Sequence, residues 1–401
     1  MAQNLARAQG SLGTIKMRIC LLNSPIEFYS PISGGAVTTI LMQSAKQLIA
    51  LGHDVTILSP LNGNEVYPVG RVIEVDSRVR DDLKRGFRSL VSLHSWMMGW
   101  DWAYYRYYLK SFMACLRDMK PAPDIVIVFN DLVSPKYIKR VVPTAKTVVW
   151  LQNAQQTRLR SLKKPLESID KYLACSTFIK DYLVGRYGLA EDAISVVNSG
   201  VDLDAFRPAA GFLEPQSPLR TLFIGRLDPN KGADLAADAV ASLQLEGLKI
   251  DLTVAGGIWF YLRGNEHTDE YVPTLQRKLE AINATFTGYV ARHDVPALIR
   301  EHDVAFVLSR NDEPFGLVTL EAMASGCAVM ASNRGGLPEA CGGGAILVDP
   351  DNMEQIIDAL RLLATDPEQL NTWKQKAVAR ASRASWESVG TRLNTILRTV
   401  K

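Results

Sequence analysis

RTLFIGRLDPNKG, at residues 220–232, is the stretch that decides the fold of this chain. An apolar run ends there in a charged, glycine-bearing loop, and a helix-like segment follows it, which is typical of a β-strand leading through a loop into a helix. Working outward, short apolar runs alternate with amphipathic segments on both sides. This alternation predicts an α/β fold built on mostly parallel sheets. We expect two doubly wound, Rossmann-like domains that face each other across a cleft.

Twelve apolar runs form two series of predicted strands. They lie at residues 17–23, 54–59, 124–130, 147–152, 172–176 and 194–198, and at 220–226, 250–256, 285–289, 304–309, 328–332 and 345–348. A proline-rich linker at 206–218 separates the series. We therefore predict an N-terminal domain over 17–208 and a C-terminal domain over 209–383. Ligands of open α/β sheets bind outside the carboxyl ends of the strands, so the cleft is the expected site.

Composition fits a soluble two-domain protein of 401 residues, with 47% hydrophobic and 22% charged residues. The first sixteen residues lack the apolar segment of a signal peptide, and no run reaches the roughly 18 apolar residues of a membrane span. The five cysteines are scattered without Cys-x-x-Cys spacing, which argues against a disulfide framework and a zinc site. We expect a cytoplasmic protein.

Positive charge is concentrated in the N-terminal half. Residues 1–208 contain 26 Lys and Arg against 18 Asp and Glu, whereas the remainder contains 19 against 24. This asymmetry favours an anionic partner for that half, either a lipid-diphosphate acceptor or an acidic membrane surface. Ordinary solvated surface charge is the open alternative. We expect no nucleic-acid partner.

A glycine-bearing loop at residues 29–36 leads from the first predicted strand into a helix. Gly34 and Gly35 at the helix entry could cradle a phosphate, although the loop lacks a strict Gly-x-Gly-x-x-Gly pattern. A plain strand-to-helix turn is the alternative. His53 lies in the following helix-to-strand turn, where a structural role is the favoured interpretation.

The loop at 225–232 places Arg226 and Lys231 five residues apart, after a strand and before a helix. Two cations on one loop can bind both phosphates of a nucleotide diphosphate. They could also neutralise the charge of a departing diphosphate without a metal. No Asp-x-Asp or histidine cluster in the sequence indicates a catalytic cation.

Two glutamates, Glu313 and Glu321, flank a Pro-Phe-Gly loop that opens a helix. Paired carboxylates of glycoside hydrolases stand roughly 5 to 9.5 Å apart. Eight helical residues rise about 12 Å, so two separate binding groups are favoured over a hydrolase pair. An ordinary loop and helix with a solvated glutamate is the alternative.

In their order and spacing, these elements resemble the retaining glycosyltransferases of family 4, which have the GT-B fold and a Glu-x7-Glu motif. The resemblance spans roughly residues 17–390. It implies that Glu313 faces the donor sugar and that Glu321 binds ribose hydroxyls. It also implies that sugar hydroxyls and the diphosphate are held by the backbone amides of Phe315, Gly316, Leu317 and Val318.

Further positions carry weaker matches to the family. Gly34 and Gly35 would close over the donor phosphates or the acceptor. The strand end at Tyr289 and Val290 would pair with the nucleotide base, and the turn at 198–202 would end the N-terminal domain. Trp386 resembles the residue where a last helix, at about 384–401, crosses back to the first domain.

One position departs from the family pattern. The family commonly carries a histidine where this chain has Gln152. Glutamine can donate a hydrogen bond to a sugar hydroxyl but cannot take a proton. We interpret Gln152 or Asn153 as binding the acceptor or sugar, with a purely structural glutamine as the alternative. The leaving phosphate oxygen could then accept the proton of the acceptor.

Aromatic residues recur at i, i+4 spacing over 96–112, which predicts one aromatic ridge on a helix. The ridge residues are Trp96, Trp100, Tyr104, Tyr108 and Phe112. Core packing is the more common role of such a ridge, and a lipid or sugar acceptor surface is the alternative. Nearby basic residues support that alternative: Arg85, Arg88, Arg106 and Lys110. A second basic group follows the Gln152 strand and could meet an acceptor phosphate: Arg158, Arg160, Lys163 and Lys164.

The resemblance, together with the residues that carry it, implies a retaining, metal-independent hexosyltransferase that needs no cofactor. We expect it to move a sugar from a nucleotide diphosphate donor, for which UDP-hexose is the favoured candidate, to a saccharide or lipid-linked acceptor. The reaction would serve polysaccharide or glycolipid biosynthesis. A peripheral contact at the inner membrane face stays open. The alternatives are a non-catalytic nucleotide-sugar-binding protein and, less favoured, a GT-B nucleotide-sugar epimerase.

Overall fold

The computed structural model describes residues 16–24, 27–32, 35–61, 63, 65–76, 104–154, 166–214, 217–257 and 266–400. The chain divides into two compact units. Unit 1 comprises the residues up to Leu173, together with Leu189–Ser195 and the residues from Gly390 onward. Unit 2 comprises Ala174–Gly188 and Val196–Val389.

Seven strands form the first sheet, in the order β3-β2-β1-β4-β5-β6-β7. They are β1 (Arg18–Leu22), β2 (Asp54–Pro60), β3 (Arg71–Val75), β4 (Ile125–Phe129), β5 (Lys146–Leu151), β6 (Lys171–Ala174) and β7 (Ile194–Val196). Strand β1 pairs in parallel with both β2 and β4. The order of the strands reverses between β1 and β4, and such a switch point is where open α/β sheets bind ligands.

The described helices that connect these strands are α1 (Ala36–Ala50), α2 (Lys110–Asp118), α3 (Pro135–Val141) and α4 (Thr177–Tyr187). A π-helical turn at Tyr105–Leu109 precedes α2. Every residue of β4 is apolar and buried, as expected for a central parallel strand covered on both faces.

Six parallel strands form the second sheet, in the order β10-β9-β8-β11-β12-β13. They are β8 (Leu219–Ile224), β9 (Ile250–Ala255), β10 (Thr285–Gly288), β11 (Val304–Val307), β12 (Ala328–Ser332) and β13 (Ile346–Val348). This order repeats that of the first sheet, with its switch point between β8 and β11.

The helices of this part are α5 (Ala233–Leu245), α6 (Glu266–Ala281), α7 (Val295–Arg300), α8 (Leu317–Ala324), α9 (Leu337–Cys341), α10 (Met353–Thr365) and α11 (Pro367–Ala381), followed by α12 (Trp386–Thr399). The residues of α12 from Gly390 onward belong to unit 1. None of the described helices is both long and apolar enough to cross a bilayer.

The predicted α/β fold with two doubly wound sheets is confirmed, and each of the twelve predicted strands is present within about two residues. Strand β3 was not predicted. Its sequence, RVIEV, places charged residues on an edge strand whose side chains are mostly exposed or half-buried. Such a strand lacks the apolar run on which the prediction depends.

A buried ion-pair cluster joins the linker to the second sheet. The Lys374 ammonium donates to Asp303 Oδ1 at 2.7 Å and to the Phe212 carbonyl oxygen at 2.7 Å. The Arg220 guanidinium binds the same carboxylate at 2.9 Å. Burial opposes ionisation of Asp303, but its two cationic partners outweigh that effect and hold its pKa below the ordinary value. The cluster therefore keeps a charged carboxylate inside unit 2.

His53 joins three segments of unit 1. Its Nδ1 accepts a hydrogen bond from the Met17 amide at 3.2 Å, and its Nε2 lies 3.0 Å from Asn394 Oδ1. Since an amide oxygen can only accept, Nε2 carries the proton and the ring is neutral in this arrangement. Burial lowers the pKa of His53.

Candidate functional site

The loop after β8 is fixed by its own hydrogen bonds and by a close backbone approach. Asp228 accepts from the Asn230 amide at 2.8 Å and caps the single turn Pro229–Lys231. Gly232 has a φ of +76°, and a Cβ atom at this position would lie 2.1 Å from the Leu308 carbonyl oxygen. Only glycine fits there, so the loop is pressed against the end of β11.

Arg310 also holds this loop. Its Nη1 donates to the Pro229 carbonyl oxygen at 2.6 Å and to Asp234 Oδ1 at 2.9 Å. The Tyr271 hydroxyl donates to the same carboxylate oxygen at 3.0 Å. The guanidinium thus connects the segment after β11 to the loop after β8 and to the first turn of α5.

Lys231 and Glu313 form an ion pair at the carboxyl ends of β8 and β11. Their side chains are 24% and 17% exposed. The Ser309 hydroxyl donates to Glu313 Oε1 at 2.7 Å. The pair joins residues 82 positions apart, because β8 and β11 are neighbours in the sheet.

The electrostatic environment keeps Glu313 ionised. Burial alone would raise the pKa of its carboxyl group, but Lys231, the Ser309 hydroxyl and the charge of Arg226 outweigh burial and lower it. The Arg226 Nη2 atom lies 3.7 Å from Asp228 Oδ2, and the Arg226 side chain is 43% exposed. The structure thus brings Arg226, Lys231 and Glu313 together. Two cations and one carboxylate can bind a diphosphate and a sugar hydroxyl at the same place.

The Pro-Phe-Gly loop turns sharply into α8. Gly316, with a φ of +90°, precedes the helix, and a Cβ there would lie 2.6 Å from the Leu337 side chain. Phe315 is buried. The N-cap residue of α8 is Gly316 itself, which has no side chain to cap the helix. Leu317 and Val318 contribute amides of the first turn, which have no intrahelical partner and can donate to an oxygen of a ligand.

Two glycines that the sequence analysis missed set the position of this loop. A Cβ on Gly335 would lie 2.4 Å from the Glu313 carbonyl oxygen, and one on Gly336 would lie 2.2 Å from the Pro314 carbonyl oxygen. The Gly336 amide also donates to the Glu313 carbonyl at 2.6 Å. A Gly-Gly pair two residues after a buried strand, as here after β12, is the signal that could have identified them.

Polar contacts tie the same loop to α4. The Ser176 hydroxyl donates to the Pro314 carbonyl oxygen at 2.6 Å and accepts from the Ile179 amide at 3.2 Å. Glu339 accepts from the Thr177 amide at 2.6 Å and from Asn198 Nδ2 at 2.7 Å. The turn at 198–202 predicted from the sequence therefore contacts α9.

Glu321, on the second turn of α8, has a partner that the sequence analysis did not identify. Arg292, in the loop between β10 and α7, binds its carboxylate through both terminal guanidinium nitrogens. A lone arginine in a loop gives no sequence signal. Tyr289 and Val290 stand just before it, and the Tyr289 side chain is 67% exposed at the end of β10.

In the first sheet, Gln152 follows β5 and is buried. Its backbone amide donates to Asn130 Oδ1 at 2.7 Å. Among the described residues, the Gln152 side-chain Nε2 is one of the buried polar atoms without a hydrogen-bond partner. Its neighbour Asn153 is exposed. The glutamine thus carries an unsatisfied donor at the carboxyl end of a central strand.

The entry to α1 is occupied by a carboxylate. Gly35 precedes α1, and the Glu27 side chain accepts a hydrogen bond from the Thr38 hydroxyl at 3.2 Å. Burial raises the pKa of Glu27. Gly34 lies outside the described residues. An acid group therefore stands at the helix end that the sequence analysis considered for a phosphate.

The described part of the aromatic ridge packs inward. Tyr108 and Phe112 are buried, and the Tyr104 hydroxyl donates to Asp131 Oδ2 at 3.2 Å. Arg106 and Lys110 are exposed. The remaining residues of this prediction lie outside the described ranges: Trp96, Trp100, Arg85, Arg88, Arg158, Arg160, Lys163 and Lys164.

Comparison with known proteins gives two family matches that together span most of the chain. Residues 33–205 match the model "Glycosyltransferase Family 4", and residues 210–380 match "Glycosyl transferases group 1". A glycogen synthase from Mycobacterium tuberculosis is 26% identical over 385 residues, which cover 90% of this chain and 91% of the relative.

Solved structures with low sequence identity share the fold. Sucrose-phosphate synthase from Thermosynechococcus elongatus superposes with a TM-score of 0.73 at 20% identity, covering 95% of this chain and 98% of that one. Anabaena HepE in complex with UDP-glucose superposes with a TM-score of 0.69 at 17% sequence identity, covering 96% of this chain and 100% of that one. These matches confirm the predicted GT-B fold. The two family models, which together span most of the chain, show that it belongs to the group 1 glycosyltransferases of family 4.

Proposed function

We propose that this glycosyltransferase is a retaining, metal-independent hexosyltransferase that uses a UDP-sugar. The observation that carries the proposal is the cluster of Arg226, Lys231 and Glu313 at the switch point of the second sheet. In the proposal the C-terminal domain, residues 209–383, binds the donor, and the N-terminal domain, residues 17–208, binds the acceptor.

The charges of the cluster suit a departing nucleotide diphosphate. Arg226 and Lys231 would bind the phosphates and stabilise the negative charge that grows as the bond between the sugar and the diphosphate breaks. The first-turn amides of α8 would add neutral donors. Two cations on one loop supply the charge that a divalent metal supplies elsewhere, which supports a reaction without metal or cofactor.

Glu313 would hold the sugar rather than attack it. Its carboxylate is ionised and already accepts from Ser309 and Lys231, so it is suited to accept hydrogen bonds from hydroxyls of the donor sugar. Glu321 would accept from the ribose hydroxyls, and the backbone of Tyr289 and Val290 would pair with the base.

The proposed chemistry keeps the sugar configuration. The bond from the anomeric carbon to the diphosphate oxygen breaks, and the acceptor oxygen bonds to the same face of that carbon. The acceptor proton passes to the leaving phosphate oxygen. Gln152 cannot take this proton, but its buried Nε2, which has no hydrogen-bond partner within the described part of the chain, can donate to a hydroxyl of the acceptor or sugar.

The donor, the acceptor and the cellular location are proposed in addition to the family assignment. The HepE structure contains UDP-glucose in the shared fold, which supports UDP-hexose as the first donor to test. The relatives include a glycogen synthase, which supports a saccharide acceptor and a role in polysaccharide synthesis; glycolipid synthesis is the second setting that we propose to test. Five free thiols fit a reducing cytoplasm. A lipid-linked acceptor would bring the basic N-terminal domain to an anionic membrane surface.

The test is a UDP-release assay with UDP-glucose and UDP-galactose, run with and without a panel of free and lipid-linked saccharides. Acceptor-dependent release and an α-linked product, read from the anomeric proton by NMR, are expected. Glu313→Gln should abolish transfer. A β-linked product would overturn the retaining mechanism. Conversion of the donor without acceptor would indicate an epimerase, and binding of the donor without turnover under every condition would indicate a non-catalytic protein.

A further inference from the structure

Arg292 grips the carboxylate of Glu321 with a planar fork. Its Nη1 donates to Glu321 Oε2 at 3.0 Å, and its Nη2 donates to Oε1. This parallel arrangement fixes the direction of the carboxylate as well as its distance, which a single lysine ammonium cannot do. Arg292 lies 29 positions before Glu321, so the contact depends on the fold of unit 2.

A third residue, Phe206, contacts the guanidinium of Arg292 with its aromatic ring. The Arg292 Cζ lies 5.2 Å from the centre of the Phe206 ring, within the range of a cation–π contact. Phe206 is buried in the segment that follows the turn at 198–202. The guanidinium is therefore held by an aromatic ring as well as by a carboxylate, and its orientation is defined by two different elements.

The exposed fractions of the Arg292 and Glu321 side chains differ, as expected for a ligand-binding site. Glu321 is 7% exposed, whereas Arg292 is 36% exposed. Removing a carboxylate from water is costly unless a partner compensates for it, and Arg292 provides that compensation. A carboxylate has about four acceptor positions. Two are used by Arg292, which leaves about two for a ligand with two neighbouring hydroxyl donors.

We propose that Arg292 is a positioning residue for the nucleotide: it holds Glu321 so that the free acceptor positions of the carboxylate meet the 2′- and 3′-hydroxyls of a ribonucleoside diphosphate. The inference rests on the proposed function and deepens it. Arg292 acts through Glu321, so its effect on binding depends on the hydroxyls of the ligand and on the presence of the glutamate.

The experiment measures binding of UDP and of 2′-deoxy-UDP by titration calorimetry. The variants are Arg292→Met, Glu321→Ala and the double variant. Arg292→Met should weaken UDP about tenfold, the effect of losing one charge-assisted contact, and should weaken 2′-deoxy-UDP clearly less. In the double variant, UDP should bind no more weakly than in Glu321→Ala alone, because a positioning residue has nothing left to position.

A matched control lies on the adjacent helix α7. Arg300 donates through Nη1 to the Ala205 carbonyl oxygen at 3.0 Å, next to Phe206, whereas the described cationic partner of Glu321 is Arg292. Arg300→Met should leave the affinity for UDP unchanged. Arg292→Lys keeps the charge without the fork and should bind UDP almost as weakly as Arg292→Met. It also serves as the test variant if Arg292→Met does not fold.

The outcomes separate this inference from the proposed function. If the wild-type protein binds no UDP, the proposed donor is wrong. If the wild-type protein binds UDP and Arg292→Met binds it equally well, the ion pair is structural and only this inference fails. If Arg292→Met weakens both nucleotides equally, and additively with Glu321→Ala, Arg292 contacts the diphosphate directly and the positioning role is overturned.

Discussion

Replacing Lys231 by methionine removes the ammonium that pairs with Glu313 and keeps most of the apolar stem. Exposed pairs contribute about 0–1 kcal/mol to stability, whereas breaking a fully buried pair costs about 3–5 kcal/mol. The pair is about one-fifth exposed, so we expect a cost of about 1–3 kcal/mol. Ser309 remains as a partner of the carboxylate, which places the cost toward the lower end.

The effect on catalysis should be larger than the effect on stability. Loss of one group that stabilises transition-state charge commonly lowers kcat by about 10²–10³. Arg226 stays in place and continues to act on the diphosphate, so we expect a fall in kcat of about 10². The pKa of Glu313 should rise in Lys231→Met, because burial persists while its strongest cationic partner is lost. The acid limb of the activity profile should therefore move to higher pH.

The assay is UDP release measured between pH 4 and pH 9, with thermal unfolding recorded in parallel. Lys278→Met is the matched control, since Lys278 forms an ion pair with Asp238 at 2.6 Å and both side chains are about 40% exposed. It should change neither kcat nor the pH profile. A Lys231→Met enzyme with unchanged kcat and an unchanged acid limb would refute the assignment of Lys231 to the diphosphate site.

Three further predictions concern the framework. Lys374→Met should destabilise unit 2 by about 3 kcal/mol, read from urea unfolding, because Asp303 loses a buried partner; a change below about 1 kcal/mol would contradict this. His53 has a lowered pKa in the folded state, so the unfolded chain binds its proton first and stability should fall as the pH drops below about 6.5; in His53→Gln this part of the pH dependence should vanish. Ser176→Ala leaves the Pro314 carbonyl without its hydroxyl donor and should raise KM for the donor several-fold with a smaller effect on kcat, and an unchanged KM would exclude a role in setting the loop.

Local pattern was sufficient to predict most of the fold. The runs that became β1 and β8 are apolar, buried and followed by glycine-bearing or charged loops, so both series of strands could be read directly. The spacing of Arg226 and Lys231 on one loop was also visible in the sequence. The described part of the ridge at 96–112 packs inward, which is the more common role of such a ridge, although a π-helical turn at Tyr105–Leu109 interrupts its α-helical spacing.

Contacts between residues far apart in the chain could not be predicted from local sequence patterns. The pairing of Lys231 with Glu313 requires β8 and β11 to be adjacent, and the order of strands in the sheet cannot be inferred from the sequence of either loop. Arg292 lies in the short loop at 289–294 without a recognisable motif, and an arginine in a loop is usually solvated. Its role appears only when α8 brings Glu321 to it. That Gln152 Nε2 is buried without a partner among the described residues is likewise a property of the folded chain and not of its local sequence.

Gly335 and Gly336 have a consequence for engineering this enzyme toward other sugars. Because they abut the main chain of Glu313 and Pro314, any side chain at either position would displace the backbone that carries the first glutamate. Saturation mutagenesis there should return inactive clones. Libraries aimed at new donors are better directed to side chains that can vary without moving this stretch of backbone, such as the exposed Tyr289.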